Sequence, residues 1–175
     1  PNDRIGIVLY AGESYTKTPI TSDKSIVLGA LNDVKFSEVL ENGTAIGMGL
    51  ATSVNRLKDS KALSKVIILL TDGVNNSGTI DPKLASELAV EYGIKTYTIG
   101  IGSNGMALSP IGIKSNGQFQ YGNQKVEIDE DLLKQIATAT GGQYFRATNN
   151  QKLEAIYEEI NKLEKTEVEE FKFYN

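Results

Sequence analysis

From Val66 the chain reads VIILLT, an apolar run closed by a threonine, and passes straight into Asp72-Gly73 and the polar tract VNNSG. An unbroken apolar run bounded by turn-forming residues predicts a strand buried on both faces, as in a parallel sheet. RIGIVLY from Arg4 is a shorter apolar run that also reads as a buried strand, and KTYTIGIG from Lys95 and QYFRA from Gln143 read as further strands. YTKTPIT, from Tyr15, alternates weakly and predicts an edge strand, because Pro19 cannot donate to a central ladder.

Between these runs the apolar period changes to that of a helix. Ile26, Val27, Ala30, Leu31 and Val34 share one face, and so do Ile46, Leu50, Val54 and Leu57. Gly47, Gly49 and Ala51 stand beside the second face. Glycine costs a helix up to ~1 kcal/mol relative to alanine, so two of them predict close backbone packing on a sheet. Leu84, Ala85, Leu88, Ala89 and Tyr92 predict a third helix, with Pro82 in its first turn. Leu132, Leu133, Ile136, Ala137 and Thr140 predict a fourth, stopped by Gly141-Gly142, and its start at Asp129-Glu130-Asp131 is acidic. Leu153, Ile156, Tyr157, Ile160 and Leu163 predict a last amphipathic helix. Residues 103–128 break this rhythm and predict a hairpin, with Ile111 and Ile113 on one strand and Phe119 and Tyr121 on the other. The tail TEVEEFKFYN, residues 166–175, reads as an edge strand or an exit linker. Strands alternating with helices imply a largely parallel sheet with helices on both faces.

Composition narrows the chemistry. The 175 residues include neither cysteine nor histidine, which excludes disulfides, thiolate or imidazole zinc sites and every Ser-His or Cys-His nucleophile pair. A metal held by these side chains must be a hard cation on oxygen ligands: Mg²⁺, Mn²⁺ or Ca²⁺. The formal net charge of −4 disfavours nucleic acid as a partner, and no apolar run is long enough to cross a bilayer.

In open parallel sheets, ligands sit at the carboxyl ends of the strands. Asp72 stands at such an end, and Thr44 stands in ENGTAIG at the start of the second helix, so a hydroxyl and a carboxylate can meet at one rim. Each has an ordinary alternative: Thr44 is a good N-cap, Asp72-Gly73 is turn chemistry, and Asn75 and Asn76 read as plain turn residues. Gly100, Gly102 and Gly105 fit G-x-G-x-x-G, but MALSPIG follows with no helical period, which argues against a dinucleotide loop.

The ordered set DRIGIVLYAGESYTKTPIT, NGTAIGMGLATSVNRL, KVIILLTDGVNNSG, GIKTYTIGIG and DEDLLKQIATATGGQYFRA resembles a von Willebrand factor type A domain, and most of all the bacterial aerotolerance (Bat) proteins. The resemblance implies a three-layer, doubly wound, mostly parallel and Rossmann-like α/β fold over residues 1–165, with 103–128 as a hairpin insertion and 166–175 as tail. It also implies a metal-ion-dependent adhesion site (MIDAS) for Mg²⁺, in which Thr44 matches the threonine of the second loop and Asp72 the aspartate of the third. The family's Asp-x-Ser-x-Ser is not in this chain and is expected, with its strand and helix, upstream of Pro1. A central strand carries three or four core side chains at ~1.5–3 kcal/mol each. Either something therefore fills its place, or the strands at Arg4–Tyr10 and Val66–Thr71 close against each other.

The expected function is a non-catalytic interaction module whose partner supplies an Asp or Glu to the bound metal. The resemblance further implies anchoring in the bacterial inner membrane by segments outside this chain, a periplasmic orientation, and work with other Bat-type proteins and a MoxR-type ATPase. The alternatives are a Mg²⁺-dependent hydrolase, which needs a base that Asp72 has no acidic sequence neighbour to provide, and a scaffold with no working metal site. Glu13, Lys17, Phe119 and Tyr121 lie on predicted loops or edges from which a partner surface can be built.

Overall fold

The computed structural model describes residues 3–34, 43–102 and 105–174; Glu41-Asn42 of ENGTAIG and Ser103-Asn104 of the glycine-rich stretch lie outside them. Strand β3 (Val66–Thr71) pairs in parallel with β4 (Lys95–Ile101), which pairs in parallel with β7 (Tyr144–Ala147). The crossovers are α3 (Pro82–Glu91) between β3 and β4, and α4 (Glu130–Thr140) between β4 and β7. Ile67 and Leu69 of β3 pack with α3, α4 and α2 (Ile46–Leu57) in one apolar cluster, joined by Ile94. Tyr97 and Ile99 of β4 and Phe145 and Ala147 of β7 face the other way, onto Ile156 and Ile160 of α5 (Asn150–Tyr174). Alternation along each strand thus feeds two cores, and the chain is an α/β fold with helices on both faces of a parallel sheet.

The face of β4 under α4 is lined by small residues. Thr96 and Thr98 are fully buried there, and the Thr98 hydroxyl donates to Leu133 O at 2.9 Å. A Cβ on Gly142 would collide with Thr96 O, so the turn after α4 requires glycine. In α2 both glycines allow close approaches, but to a loop carbonyl and a side chain rather than to the sheet backbone that their spacing predicts. A Cβ on Gly47 would collide with the Ile80 carbonyl, and one on Gly49 would stand 2.8 Å from the Tyr10 ring.

Strands β1 (Ile5–Tyr10) and β2 (Ser14–Thr21) form a separate antiparallel ribbon, with Pro19 exposed on β2. Among the described residues β1 and β3 share no ladder, so these two strands do not close against each other. They are tied instead by α2, which lies across both, and by the Tyr10 hydroxyl, which donates to Leu70 O at 2.8 Å. The helix α1 (Lys24–Asn32) packs on this ribbon through Val27 alone among its buried residues, a narrower contact than its apolar spacing predicts. The insertion folds as the antiparallel hairpin β5 (Gly105–Ile113) and β6 (Phe119–Val126). Gly105 therefore opens a strand rather than a helix, and the glycine-rich stretch is not a dinucleotide loop.

The tail corrects the sequence reading. Residues 166–174 are the last turns of α5 and not an edge strand. No Gly or Pro interrupts the chain from Asn150 to Tyr174, and its many Glu and Lys are good helix formers, which outweighs the weak alternation. At Glu164 this helix is fastened to the amino-terminal end of the sheet. Its carboxylate accepts hydrogen bonds from Tyr97 Oη at 2.6 Å, Ser64 Oγ at 2.8 Å and Lys95 Nζ at 3.2 Å. Burial raises the Glu164 pKa, but the bonds from Tyr97, Ser64 and Lys95 and the Lys95 charge together outweigh it, so the carboxyl sits below its usual value. A carboxyl depressed in the folded state stabilises the fold above its unfolded pKa and loses that contribution as pH falls through the folded one. Replacing Glu164 by Gln should therefore cost about 1–2 kcal/mol at pH 7. In urea unfolding from pH 7 to pH 3, the gap between variant and wild type should close as the pH drops; a constant gap would show that the charge is irrelevant.

Candidate metal-ligand rim and its comparisons

The parallel ladder sets Thr71 beside Gly100 and Ile101 beside Ala147, so Asp72 and the exits of β4 and β7 share one rim of the sheet. Gly102 N–H donates to Ala147 O at 2.8 Å and continues that rim past β4. Here the third loop, residues 72–78, meets the second loop at Thr44.

The first residue of α2 proper is Ile46, and Ala45 is its N-cap. Alanine offers no side-chain acceptor, yet the first amides of a helix need one. The third loop supplies it. Asn75 Oδ1 accepts from Ile46 N–H at 2.9 Å, and Asn76 Oδ1 accepts from Thr44 N–H at 2.8 Å. In return Thr44 O accepts from the amides of Asn76, at 3.0 Å, and Ser77, at 3.3 Å. Asn75 and Asn76 are therefore not plain turn residues but a brace that caps a helix from another loop. The tetrad of reciprocal bonds fixes where Thr44 stands relative to Asp72.

This brace also overturns the N-cap reading of Thr44. Its hydroxyl caps nothing, because Thr44 lies one residue ahead of the N-cap, and among the described residues it has no hydrogen-bond partner. The Oγ1 atom points at the third loop, 3.1 Å from where a Cβ on Gly73 would stand. Any side chain larger than hydrogen at 73 would thus press on this hydroxyl. Asp72, the residue before, is exposed, and among the described residues its carboxylate has no ion pair or hydrogen bond. Behind it, burial pushes the Tyr10 hydroxyl up to about 12, against a hydrogen bond with Thr71 that lowers it and with a small further push from the Asp72 charge.

The structure thus brings the two sequence-predicted residues to one rim and, among the described residues, gives the Thr44 hydroxyl and the Asp72 carboxylate no partner. The donor set suits a hard divalent cation in kind. In number it is part of a site, since Mg²⁺ takes about six oxygens and this pair offers two side-chain groups. Among the described residues no cluster of three or more acidic or other metal-binding side chains exists to complete it. Asp129 and Glu130, at the same rim, are occupied otherwise. Asp129 caps α4 through Leu132 N–H at 3.2 Å, and Glu130 pairs with Arg146, whose Nε donates to Gly102 O at 2.8 Å. Of the remaining surface candidates, Glu13 is exposed and Lys17 is half-buried on β2, away from these two loops in the chain; Phe119 and Tyr121 are exposed on β6.

The brace makes a direct prediction. Asn75→Ala leaves the Ile46 amide without its acceptor and should cost about 1–2 kcal/mol in urea unfolding. Asn75→Asp keeps an acceptor oxygen and adds a charge that the helix N-terminus favours, so it should remain near wild type. Equal losses in both variants would mean that the amide group, not the acceptor, matters.

Comparison with known proteins agrees with this fold. Residues 1–159 match the von Willebrand factor type A domain. An uncharacterized protein of Borreliella burgdorferi is 33% identical over 166 residues, covering 95% of this chain and 48% of that protein. The chain spans about half the length of the curated relatives it matches. Among solved structures, the conserved hypothetical protein BatB from Bacteroides thetaiotaomicron superimposes with a TM-score of 0.76 at 28% identity, over 94% of this chain and 81% of that one. An aerotolerance-related membrane protein from Bacteroides fragilis gives 0.73 at 28% identity, over 93% and 81%. Proximal thread matrix protein 1 from the mussel byssus, solved with its MIDAS motif occupied by zinc, gives 0.67 at 25% identity, over 91% and 34%. With the match running from residue 1 to 159 and the parallel sheet carrying helices on both faces, this chain belongs to the von Willebrand factor type A domain family.

Proposed function

We propose that this domain is a non-catalytic protein-interaction module of a membrane-anchored bacterial protein, and that it binds an acidic residue of its partner through a Mg²⁺ site of the adhesion type. The observation that carries this reading is the pair of unpartnered oxygens, Thr44 Oγ1 and the Asp72 carboxylate, on two loops braced together by Asn75 and Asn76. A side chain kept free of local partners by so specific a brace is poised for an external ligand. The zinc-occupied motif of the mussel protein supports divalent-metal binding at a site of this family. The likeness to BatB and to the aerotolerance-related membrane protein supports the Bat assignment.

On this reading Thr44 and Asp72 are two of the ligands, and the others come from Asp-x-Ser-x-Ser upstream of Pro1, on a strand that lies along the free edge of β3. That edge is where β3 has no strand partner among the described residues, and where Ile68 is 37% exposed. A bound hard cation supplies an open position for a carboxylate oxygen of the partner. The protein's part is to hold both oxygens still: the Asn brace fixes the loops, and glycine at 73 leaves room for the Thr44 hydroxyl. Anchoring in the inner membrane, a periplasmic orientation, and work with other Bat-type proteins and a MoxR-type ATPase complete the proposal.

The test is calorimetric titration of Mg²⁺ and Mn²⁺ into residues 1–175 and into the same chain extended upstream through the Asp-x-Ser-x-Ser segment. Binding is expected in the extended chain alone, lost with Asp72→Ala and weakened tenfold or more with Thr44→Ala. Equal binding by residues 1–175 would show that other groups complete the site. Undiminished binding by Asp72→Ala would return Thr44 and Asp72 to a scaffold role.

A further inference from the structure

The β5–β6 hairpin leaves the fold from the end of β4 and returns at Asp129, the cap of α4, so both of its roots lie at the rim that carries Asp72. Among the described elements its principal contact is with itself. Such a ribbon gains little from its own two strands in water, so an apolar face on it is unusual unless something covers it. The register sets Ile113 opposite Phe119, with Tyr121 two residues further along the same face of β6. These three are 69%, 60% and 56% exposed. A register shift between Pro110 and Gly112 turns Ile111 to the opposite face, where it lies over Gly122.

The charge of this arm is opposite to that of the protein. Residues 103–126 contain Lys114 and Lys125 and no Asp or Glu, within a chain of formal net charge −4. Its tip is polar and internally bonded. Lys114 N–H donates to Gln118 O at 2.8 Å, Gly117 N–H to Lys114 O at 2.8 Å, and Gln118 N–H to Asn116 Oδ1 at 3.1 Å.

We infer that the hairpin is a docking arm for an acidic protein segment that carries apolar side chains beside its carboxylates: Ile113, Phe119 and Tyr121 take the apolar side chains and Lys114 a flanking carboxylate. This deepens the function proposed above and rests on it, since the segment is the one whose acidic residue reaches the Thr44–Asp72 rim. Charge selects the occupant. A second copy docked hairpin to hairpin about a two-fold axis would bring the basic arms together, like charge against like. Tip-first insertion into a bilayer would have to bury the polar Lys114–Gln118 turn, which projects beyond the Ile113–Phe119 pair. Aromatic and aliphatic anchors on a short, bonded ribbon lose little freedom on binding, which suits them to recognition.

The experiment uses the upstream-extended protein and three fluorescent peptides of equal length: Asp alternating with Leu and Phe, the same with Lys for Asp, and the same with Ser for the apolar residues. Anisotropy titrations in Mg²⁺ and in EDTA should show binding of the Asp/Leu/Phe peptide alone. Ile113→Ser/Phe119→Ser should weaken it about tenfold or more, and Lys114→Glu should weaken it with a shallower salt dependence. Lys114→Glu leaves the apolar face intact, and the double variant changes only exposed side chains, so circular dichroism should report an unchanged fold. If the hairpin variants lose affinity but Mg²⁺ and Asp72→Ala make no difference, the arm stands and the metal reading fails. If binding needs Mg²⁺ and Asp72 but ignores the hairpin variants, the metal reading stands and the arm is overturned. No binding of the acidic peptide, or equal binding of the control peptides, also overturns it. So would dimerisation lost in the double variant, or equally tight binding to phosphatidylglycerol vesicles, which would assign the stripe to self-association or to a bilayer.

Discussion

The amides that open α2 have no acceptor within their own segment, and the molecule meets that need from 29 residues away, through the side chain of Asn75. An unmet amide at a buried helix start costs on the order of 1–3 kcal/mol, enough to select one loop conformation over its neighbours. Because Asn75 and Asn76 must reach Ile46 and Thr44, the chain after Asp72 turns back over the start of α2 instead of leaving the sheet directly. That turn places Gly73 against the Thr44 hydroxyl and leaves Asp72 facing outward. The geometry of the rim is therefore a consequence of helix capping, and a metal need not be present for the two loops to find each other.

This also explains which parts of the rim were legible in the sequence. Strand β3 and the carboxylate at its end follow from VIILLTDG, but the burial on both faces that this run predicts is found on one: Ile67, Leu69 and Thr71 are buried, while Ile68 is 37% exposed. The strands β3, β4 and β7, a largely parallel sheet and the helices between them follow from the alternation of period, whereas the pairing order is seen only in the fold. The roles of Thr44 and Asn75 do not, because N-capping reads locally: a threonine before a helix looks like the cap, and NN after Asp-Gly looks like a turn. What decides between these is a contact across the sheet, to which local spacing is blind. The one available hint was the alanine at position 45, a poor N-cap that implies help from elsewhere. The tail is obscured for a different reason: its weak alternation competes with the helix propensity of its Glu and Lys and the lack of any breaker after Asn150, and the latter win.

The two ends of the sheet are built on different terms. At the amino-terminal end, polar groups are consumed: Tyr97, Ser64 and Lys95 all converge on Glu164, and α5 is locked to the strands. On the α4 face, close packing of Thr96, Thr98 and Gly142 leaves no slack. At the carboxyl rim, Glu130 and Arg146 satisfy each other, while Thr44 and Asp72 are left without partners. An unpaired carboxylate at an exposed position costs the fold almost nothing, because water solvates it, so stability alone neither favours nor opposes it. The loop that carries it lies against the Thr44 hydroxyl because four reciprocal hydrogen bonds of the cap hold it there, and among the described residues neither group takes part in those bonds.

The ribbon formed by β1 and β2 sharpens the same point. It meets β3 through one tyrosine hydroxyl and through the back of α2, with no backbone ladder between the two sheets. A parallel strand normally satisfies its amides and carbonyls on both sides, and β3 does so on one. Leu70 O is relieved by Tyr10, a single long-range bond standing where a ladder would supply several. Burial holds that hydroxyl protonated up to about pH 12, so the tie persists at any physiological pH. Tyr10 is packed against Gly49 of α2, the helix whose first turn the Asn75 brace caps, so the free edge of β3 and the Thr44–Asp72 rim are held by one element. A strand entering along that edge would meet α2 and Tyr10 together.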